Sequence, residues 1–133
     1  MKREKMLENI TSAINHLEES MKALVEKNEK EVIRFVWRAA ADLEYALFLF
    51  SLMHRDETPS ASWKLDPPAK QVEVGPTLVL SQDLLKEAKD SFEVENFNEA
   101  HKKTWMARGH LLRIHDFFEK RRRESEKSAS SSS

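Results

Sequence analysis

Residues 7–24 read LENITSAINHLEESMKAL, and large apolar side chains recur in this stretch at alternating steps of three and four residues. They are Leu7, Ile10, Ile14, Leu17, Met21 and Leu24. This spacing places them on one face of an α-helix that packs at a shallow angle on a partner, as in a helical bundle. It predicts a first helix over residues 3–27, with the turn after it at Lys27 and Asn28.

Two later segments carry the same spacing. In the second helix, predicted over residues 29–54, the apolar row consists of Val32, Val36, Ala39, Leu43, Ala46, Phe50 and Met53. In the last helix, predicted over residues 97–122, it consists of Ala100, Thr104, Ala107, Leu111, Ile114 and Phe118. Asn96 and Glu99 have the spacing of a capping box and mark the start of this last helix. Ser81 and Asp83 are typical of a helix N-terminus and predict a short third helix over residues 82–94.

The residues between the second and third helices are rich in helix breakers. All four prolines and Gly75 lie within residues 55–80, which predicts one long loop there. No internal repeat is evident. The pattern predicts an all-α, single-domain, up-and-down four-helix bundle over residues 1–120. A basic and serine-rich tail, residues 121–133, has no apolar periodicity and is expected to be disordered.

Composition excludes several classes of function. The chain of 133 residues contains no cysteine, so disulfides, thiolate metal sites and cysteine nucleophiles are excluded. Its 22 Lys and Arg nearly balance its 23 Asp and Glu, which argues against the coating of nucleic acid as its main task. Neither an apolar signal-peptide core nor a membrane-length apolar stretch occurs, so we expect a cytoplasmic protein without a membrane partner. The Lys- and Glu-rich composition is typical of thermophile proteins and also of many mesophilic helical proteins.

The last predicted helix carries a strip of long polar side chains. His101, Arg108 and His115 recur every seven residues, which is two helical turns less about 20°, so they point the same way. On the second helix, Glu44 lies on a largely apolar row. A carboxylate in that position needs a cation or a hydrogen-bond donor, and Arg108 or one of the two histidines is the natural partner.

The first interpretation of these polar residues is structural. Arg38 and Asp42 are four residues apart on the second helix and are spaced to pair with each other. Glu44 or Asp42 then pairs with Arg108, the histidines cap the edge of the core, and the network fixes the register of the helices. The protein would be a binding or assembly module, with His101, Asp42 and Arg38 as candidate binding residues.

Gly109 lies among the strip residues and is one of only two glycines in the chain. A glycine in a helix interior costs roughly 1 kcal/mol relative to alanine. Its presence indicates that another backbone or a ligand approaches the last helix at this point.

The second interpretation is catalytic. The segment Arg108-Gly-His-Leu-Leu-Arg-Ile-His115 resembles the Arg-x(4–6)-His motif of the HEPN superfamily, a group of helical bundles. Many of its members are metal-independent ribonucleases that act at a homodimer interface. The resemblance implies that His115 is the acid/base or phosphate-contacting group and that Arg108 stabilises the pentavalent phosphate, with Glu44 or Asp42 orienting them. An imidazole suits proton transfer near neutral pH, and a guanidinium suits developing phosphate charge.

Metal binding is not indicated by the spacing of carboxylates and histidines. The Glu-x-x-His pair of ferritin-like carboxylate sites does not occur in the chain. Glu99 and His101 are two residues apart, and His110 and His115 are five apart, so neither pair shares a helix face. We therefore expect neither a metal nor another cofactor.

The second half of the second helix favours self-association. Tyr45, Phe48, Leu49 and Leu52 make it apolar nearly all round, and such a helix must be central or contact another chain. We expect a homodimer formed through helix 2 or helix 4, with RNA or another protein as alternative partners. The composition and the stretch Arg38-Ala-Ala-Ala-Asp-Leu-Glu-Tyr45 also resemble small helical protein families of archaea, a resemblance that implies no activity.

Overall fold

The computed structural model describes residues 2–53, 63–65 and 72–131. Within these ranges the chain forms the four helices α1 (Lys2–Val25), α2 (Glu29–Met53), α3 (Val74–Glu93) and α4 (Phe97–Ser131), and no strand. The predicted all-α four-helix bundle with a long connection between its second and third helices is confirmed. Residues 54–62 and 66–71, which make up most of the predicted loop, lie outside the described residues.

The four helices form two antiparallel hairpins that pack side by side. α1 packs on α2 and α3 packs on α4, while α2 also contacts α4 and α1 contacts α3. The order around the bundle is therefore α1, α2, α4, α3. Neighbouring helices are antiparallel: Phe50 near the end of α2 contacts His101 near the start of α4, and Arg3 at the start of α1 lies 3.5 Å from Glu95, just after α3.

The apolar rows predicted from the sequence form the core. In α4 the predicted row is buried at every position, and in α2 it is buried from Val32 to Phe50, with Met53 partly buried at its end. In α1, Ile10 and Leu17 are fully buried, and the other predicted positions lie at the edge of the core. Since α1 faces both α2 and α3, its buried face is centred between the predicted row and a second row formed by Met6, Ala13 and Ser20.

α3 begins at Val74, whereas the sequence predicted a start at residue 82. Gly75 and Pro76 occupy its first turn, where backbone N–H groups have no partner within the helix, so a proline there breaks no hydrogen bond. Ser81, the predicted N-cap, is buried inside the helix, and its hydroxyl donates to the carbonyl oxygen of Thr77 at 2.8 Å. The predicted cap at Ser81 was therefore wrong.

α4 runs to Ser131, beyond its predicted end at residue 122 and through most of the tail expected to be disordered. Arg122 favours this extension because it donates to Glu119 at 2.9 Å and to Glu126 at 3.0 Å. Both partners lie about one turn away along the same helix. Local ion pairs thus support helix where no apolar row does.

The connection between α2 and α3 spans the length of the bundle, since α2 ends and α3 begins at opposite ends of it. Its described residues lie along α4. The Trp63 ring is 4.9 Å from the His101 ring and 6.0 Å from the Trp105 ring, and Val72 lines a pocket together with Phe117. α2 and α3 therefore run in the same direction, so the predicted up-and-down order along the chain was wrong, although spatial neighbours are antiparallel.

The two hairpins repeat each other at a constant offset of 68 residues, as from Asn28 to Asn96, a feature that the sequence did not predict. Lys27 and Glu95, in the two hairpin turns, both have positive φ, at 59° and 62°. Asn28 and Asn96 each accept a hydrogen bond from the backbone N–H three residues later, at 3.4 and 3.3 Å. The backbone hydrogen bonds that close the two turns also match at this offset.

The repeat extends through the buried faces of the helices. The corresponding buried pairs are Ile10 and Leu78, Ala13 and Ser81, Leu17 and Leu85, Ser20 and Ala88, Val32 and Ala100, Val36 and Thr104, Ala39 and Ala107, Leu43 and Leu111, Ala46 and Ile114, and Phe50 and Phe118. Between α1 and α3, the Gln82 amide donates to the carbonyl oxygen of Ile14, its own counterpart, at 3.2 Å. Contact between counterparts is expected where two equivalent hairpins face each other across an approximate two-fold axis.

Candidate functional site

The polar strip of α4 meets Glu44 in the groove between α2 and α4. Arg108 Nε donates to Glu44 Oε1, so the prediction that Glu44 finds Arg108 is confirmed. The two side chains are 32% and 55% exposed, and exposed ion pairs contribute only about 0–1 kcal/mol. A pocket of about 310 Å³ beside this pair is lined by Leu47, Phe48, Ser51, His101 and Trp105. The pair therefore belongs to a surface groove and does not fix the core.

His101 is buried at the start of α4. Its ring stacks on Phe50 with the centroids 4.9 Å apart and an interplanar angle of 3°. Trp63 meets the same ring at 4.9 Å and 89°. Enclosed by two aromatic rings, His101 packs as part of the core edge, and the surface that it offers to a ligand is small.

His115 lies in different surroundings from Arg108. Its ring is 4.9 Å from Trp37, and its Nδ1 is 3.7 Å from Asp116. It lines a separate groove of about 530 Å³, together with Ile33 and side chains from the far end of α4. Arg108 and His115 are two turns apart, roughly 10 Å along the helix axis. The strip is thus divided between two grooves, with His101 and Arg108 at one and His115 at the other.

Asp42 pairs with α1 and not with Arg38, so the predicted Arg38–Asp42 pair was wrong. His16 Nδ1 lies 2.8 Å from Asp42 Oδ2, whereas the Arg38 guanidinium lies over the Phe35 ring, 5.8 Å from its centroid. Sequence spacing had not identified His16, because a contact between two helices leaves no periodic signal in either of them.

The outward side of α2 is aromatic and exposed. Trp37, Tyr45 and Phe48 are 56%, 46% and 55% exposed, and Ala41 between them is also exposed. We call these four residues the α2 outer face. Exposed aromatic residues concentrated on one helix face are typical of binding surfaces.

The repeat shows what is distinctive about the α2 outer face. At the offset of 68 residues, Trp37 and Ala41 correspond to Trp105 and Gly109. On α4, Trp63 packs against Trp105. A methyl group added at Gly109 would overlap the Leu65 side chain. The connection therefore covers this side of α4, while the equivalent side of α2 stays open.

The carboxyl of Glu119 lies near His115 and is held ionised. The hydrogen bond from Arg122 lowers the pKa of Glu119 below its usual 4.5, burial opposes this, and the nearby charges of Arg122, His115 and Arg123 lower it further. In return, Glu119 raises the pKa of Arg122. Glu119 therefore adds negative charge to the groove that His115 lines.

Across residues 2–53, 63–65 and 72–131, no group of three or more His, Asp and Glu side chains is arranged to hold a metal ion. None of the helices formed by these residues combines the length and the apolar character that a membrane crossing requires. Comparisons of the chain with protein families, with curated proteins and with solved structures found no match.

Proposed function

We propose that the protein is an assembly module that forms a homodimer through the α2 outer face, and that its role is binding without catalysis. The observation that carries this proposal is the exposure of Trp37, Tyr45 and Phe48 on one side of α2. Trp, Tyr and Phe are the side chains enriched in protein interfaces, where they supply most of the binding free energy. Leaving three of them in water is unfavourable for an isolated bundle.

The internal repeat supports a second copy of the chain as the partner. The connection packs against Trp105 on α4 and leaves the equivalent residue of α2, Trp37, exposed. The four residues of the α2 outer face are uncharged, so two copies can meet without placing like charges against each other. A two-fold homodimer buries the same patch on both subunits, which an uncharged, aromatic face permits.

The Arg108–Glu44 pair lies next to the α2 outer face, where it would form part of the polar rim of the interface. Because Arg108 is already bound to Glu44, dimerisation does not leave an unpaired charge in the interface, which would be costly. Polar residues at the rim of an apolar interface are the usual arrangement. Under this proposal the polar strip orients the dimer and has no chemical role.

Sedimentation equilibrium over a concentration series tests the dimer. We expect the wild type to sediment at twice the chain mass of 15.5 kDa and the Phe48→Glu variant to sediment as a monomer, because the new carboxylates would oppose each other across the interface. Phe48 is exposed, so the change spares the core. Val79→Glu, an equally exposed apolar position on α3, is the matched control and should remain dimeric. A wild-type monomer at every concentration would reject the proposal.

A metal-independent ribonuclease is the second candidate function, and the contact between Glu44 and Arg108 is the observation that favours it. This contact provides the carboxylate that the HEPN resemblance requires beside the arginine. His115 lies roughly 10 Å from Arg108 along α4, so the pair would act on one phosphate only if a second subunit closed the site.

RNA cleavage in the presence of a chelator separates the two functions. If the ribonuclease function holds, Arg108→Ala and His115→Ala each abolish cleavage and melt like the wild type. We expect instead that the wild type cleaves no RNA. Arg108→Ala should then lower stability by no more than about 1 kcal/mol, the contribution of an exposed ion pair, as measured by thermal unfolding. Cleavage by the wild type that Arg108→Ala removes would overturn the assembly proposal.

A further inference from the structure

A second polar cluster lies in the groove between α1 and α2, away from the α2 outer face. His16 Nδ1 and Asp42 Oδ2 are 2.8 Å apart, and the two side chains are 27% and 22% exposed, so solvent reaches both. The His16 ring lies 6.2 Å from the Phe35 ring, and the Arg38 guanidinium carbon lies 5.8 Å from the same ring. An imidazole and a guanidinium are thus held close to one aromatic surface.

The repeat indicates that the fold does not need His16 and Arg38. At the offset of 68 residues, His16 and Arg38 correspond to Leu84 and Met106, of which Leu84 is buried and Met106 packs against the core. The second hairpin therefore has apolar side chains at these two positions, whereas Asp42 corresponds to His110 and Phe35 to Lys103. Apolar side chains thus suffice at these two positions in the second hairpin, so His16 and Arg38 in the first hairpin call for a different explanation.

The charges around Phe35 leave one cation uncompensated. Arg34 also lies over this ring, at 5.4 Å, and it is paired with Glu31 at 3.3 Å. Asp42 is engaged by His16. Arg38 forms no ion pair within the part of the chain that the structure describes, where its contact is the Phe35 ring. An anion between Arg38 and His16 would complete this arrangement.

We propose that His16 and Arg38 bind a phosphate group in this groove, with Asp42 as a positioning residue. A carboxylate accepts the Nδ1 hydrogen and so leaves Nε2 of the imidazole directed away from Asp42 and available to the ligand. When both ring nitrogens carry a hydrogen, the imidazole can donate through Nε2 to one phosphate oxygen, while the planar guanidinium of Arg38 donates to two others. The ligand is free phosphate or the phosphate of a small ester, which offer the same oxygens.

Histidine NMR resonances report on this site directly. Inorganic phosphate is added to the full-length wild type at constant ionic strength, with sodium chloride as the compensating salt, and the experiment is repeated with adenosine 5′-monophosphate. We expect the His16 resonance to move saturably while those of His101 and His115 stay in place. Tighter binding of the nucleotide would identify an ester as the preferred source, and equal binding would identify free phosphate.

Three variants make the experiment decisive. Arg38→Gln should weaken phosphate binding at least about tenfold, because the charge-assisted hydrogen bonds of the guanidinium are lost. Arg3→Gln, which removes an exposed arginine paired with Glu95 elsewhere, should leave it unchanged. His16→Leu combined with Arg38→Met installs the residues of the second hairpin and should fold normally, as judged by circular dichroism, without binding phosphate.

The proposal is overturned if phosphate moves all histidine resonances in parallel, or if Arg38→Gln binds as tightly as the wild type. Unfolding of the His16→Leu, Arg38→Met variant would show that the cluster serves the fold, and would also count against the site. A failure of dimerisation would leave this result unaffected, since the groove belongs to a single α1–α2 hairpin.

Discussion

At the scale of single residues, Gly109 explains how the connection is held on α4. The sequence indicated that a backbone or a ligand approaches this glycine. The approaching group is instead the Leu65 side chain, which occupies the space that a Cβ at this position would need. Together with Trp63 on the rings of His101 and Trp105, this contact anchors the connection. Gly109 therefore lowers the helix propensity of α4 at this position but leaves room for the contact with Leu65.

A double-mutant cycle tests this role. In a Leu65→Ala background, Gly109→Ala should stabilise the protein by up to about 1 kcal/mol, because alanine is the better helix former. In the wild-type background the same change should give at least about 1 kcal/mol less, because the new methyl group displaces Leu65. Denaturant unfolding of the four proteins measures the coupling. Equal effects in both backgrounds would show that Leu65 does not contact Gly109.

An ion pair between helices was predictable from the sequence only where the charged residue had few possible partners. Glu44 lies on an apolar row, and Arg108 was one of few cations able to reach it, so this pair could be foreseen. Asp42 had a local candidate in Arg38, and the local spacing concealed its true partner, His16. Contacts between helices depend on their relative rotation, which hydrophobic spacing determines only coarsely.

At the scale of helices, the apolar rows were predicted well and the helix ends less well. Spacing identified the buried side of α4 at every position, since burial repeats with the helical period. The ends depend on features without a period. Pro76 reads as a breaker in the sequence but fits the first turn of α3, and charged residues extend α4 beyond its apolar row. The internal repeat was missed because most corresponding buried pairs are different amino acids.

The extension of α4 is expected to depend on pH. Because the Arg122 hydrogen bond lowers the pKa of Glu119 in the folded chain, the helix gains stability from this pair above the ordinary carboxyl pKa. The gain is lost as the pH falls through the lowered value. The protection of the last turns of α4 against hydrogen exchange, measured relative to the intrinsic exchange rate at each pH, should therefore be higher at neutral pH and fall once the pH drops below about 4.5.

Variants separate this ion pair from general fraying. Arg122→Gln should make the last turns of α4 exchange rapidly at neutral pH as well, since Glu119 then loses its strongest partner. Lys127→Gln, an exposed cation on the same stretch, is the control and should leave the pH profile unchanged. An identical profile in Arg122→Gln would mean that another interaction supports the extension.

At the scale of the whole molecule, the bundle consists of two equivalent hairpins whose surroundings differ. The connection packs against Trp105 on α4 and leaves the corresponding Trp37 on α2 exposed. Self-association through the α2 outer face would bury Trp37 and its neighbours as well. The phosphate groove proposed between α1 and α2 is likewise confined to one hairpin, because Leu84 and Met106 in the second hairpin stand where the first has His16 and Arg38. Both proposals rest on differences between two halves that share one architecture.

Thiol-specific crosslinking at Ala41 tests the dimer at the level of its geometry. The chain contains no cysteine, so Ala41→Cys introduces a single thiol in the middle of the α2 outer face, and Val79→Cys introduces one on α3 as the control. A two-fold interface places Ala41 near its own copy. We predict rapid formation of covalent dimers by Ala41→Cys at low protein concentration and little by Val79→Cys. Equal, slow crosslinking of the two variants would contradict assembly through α2.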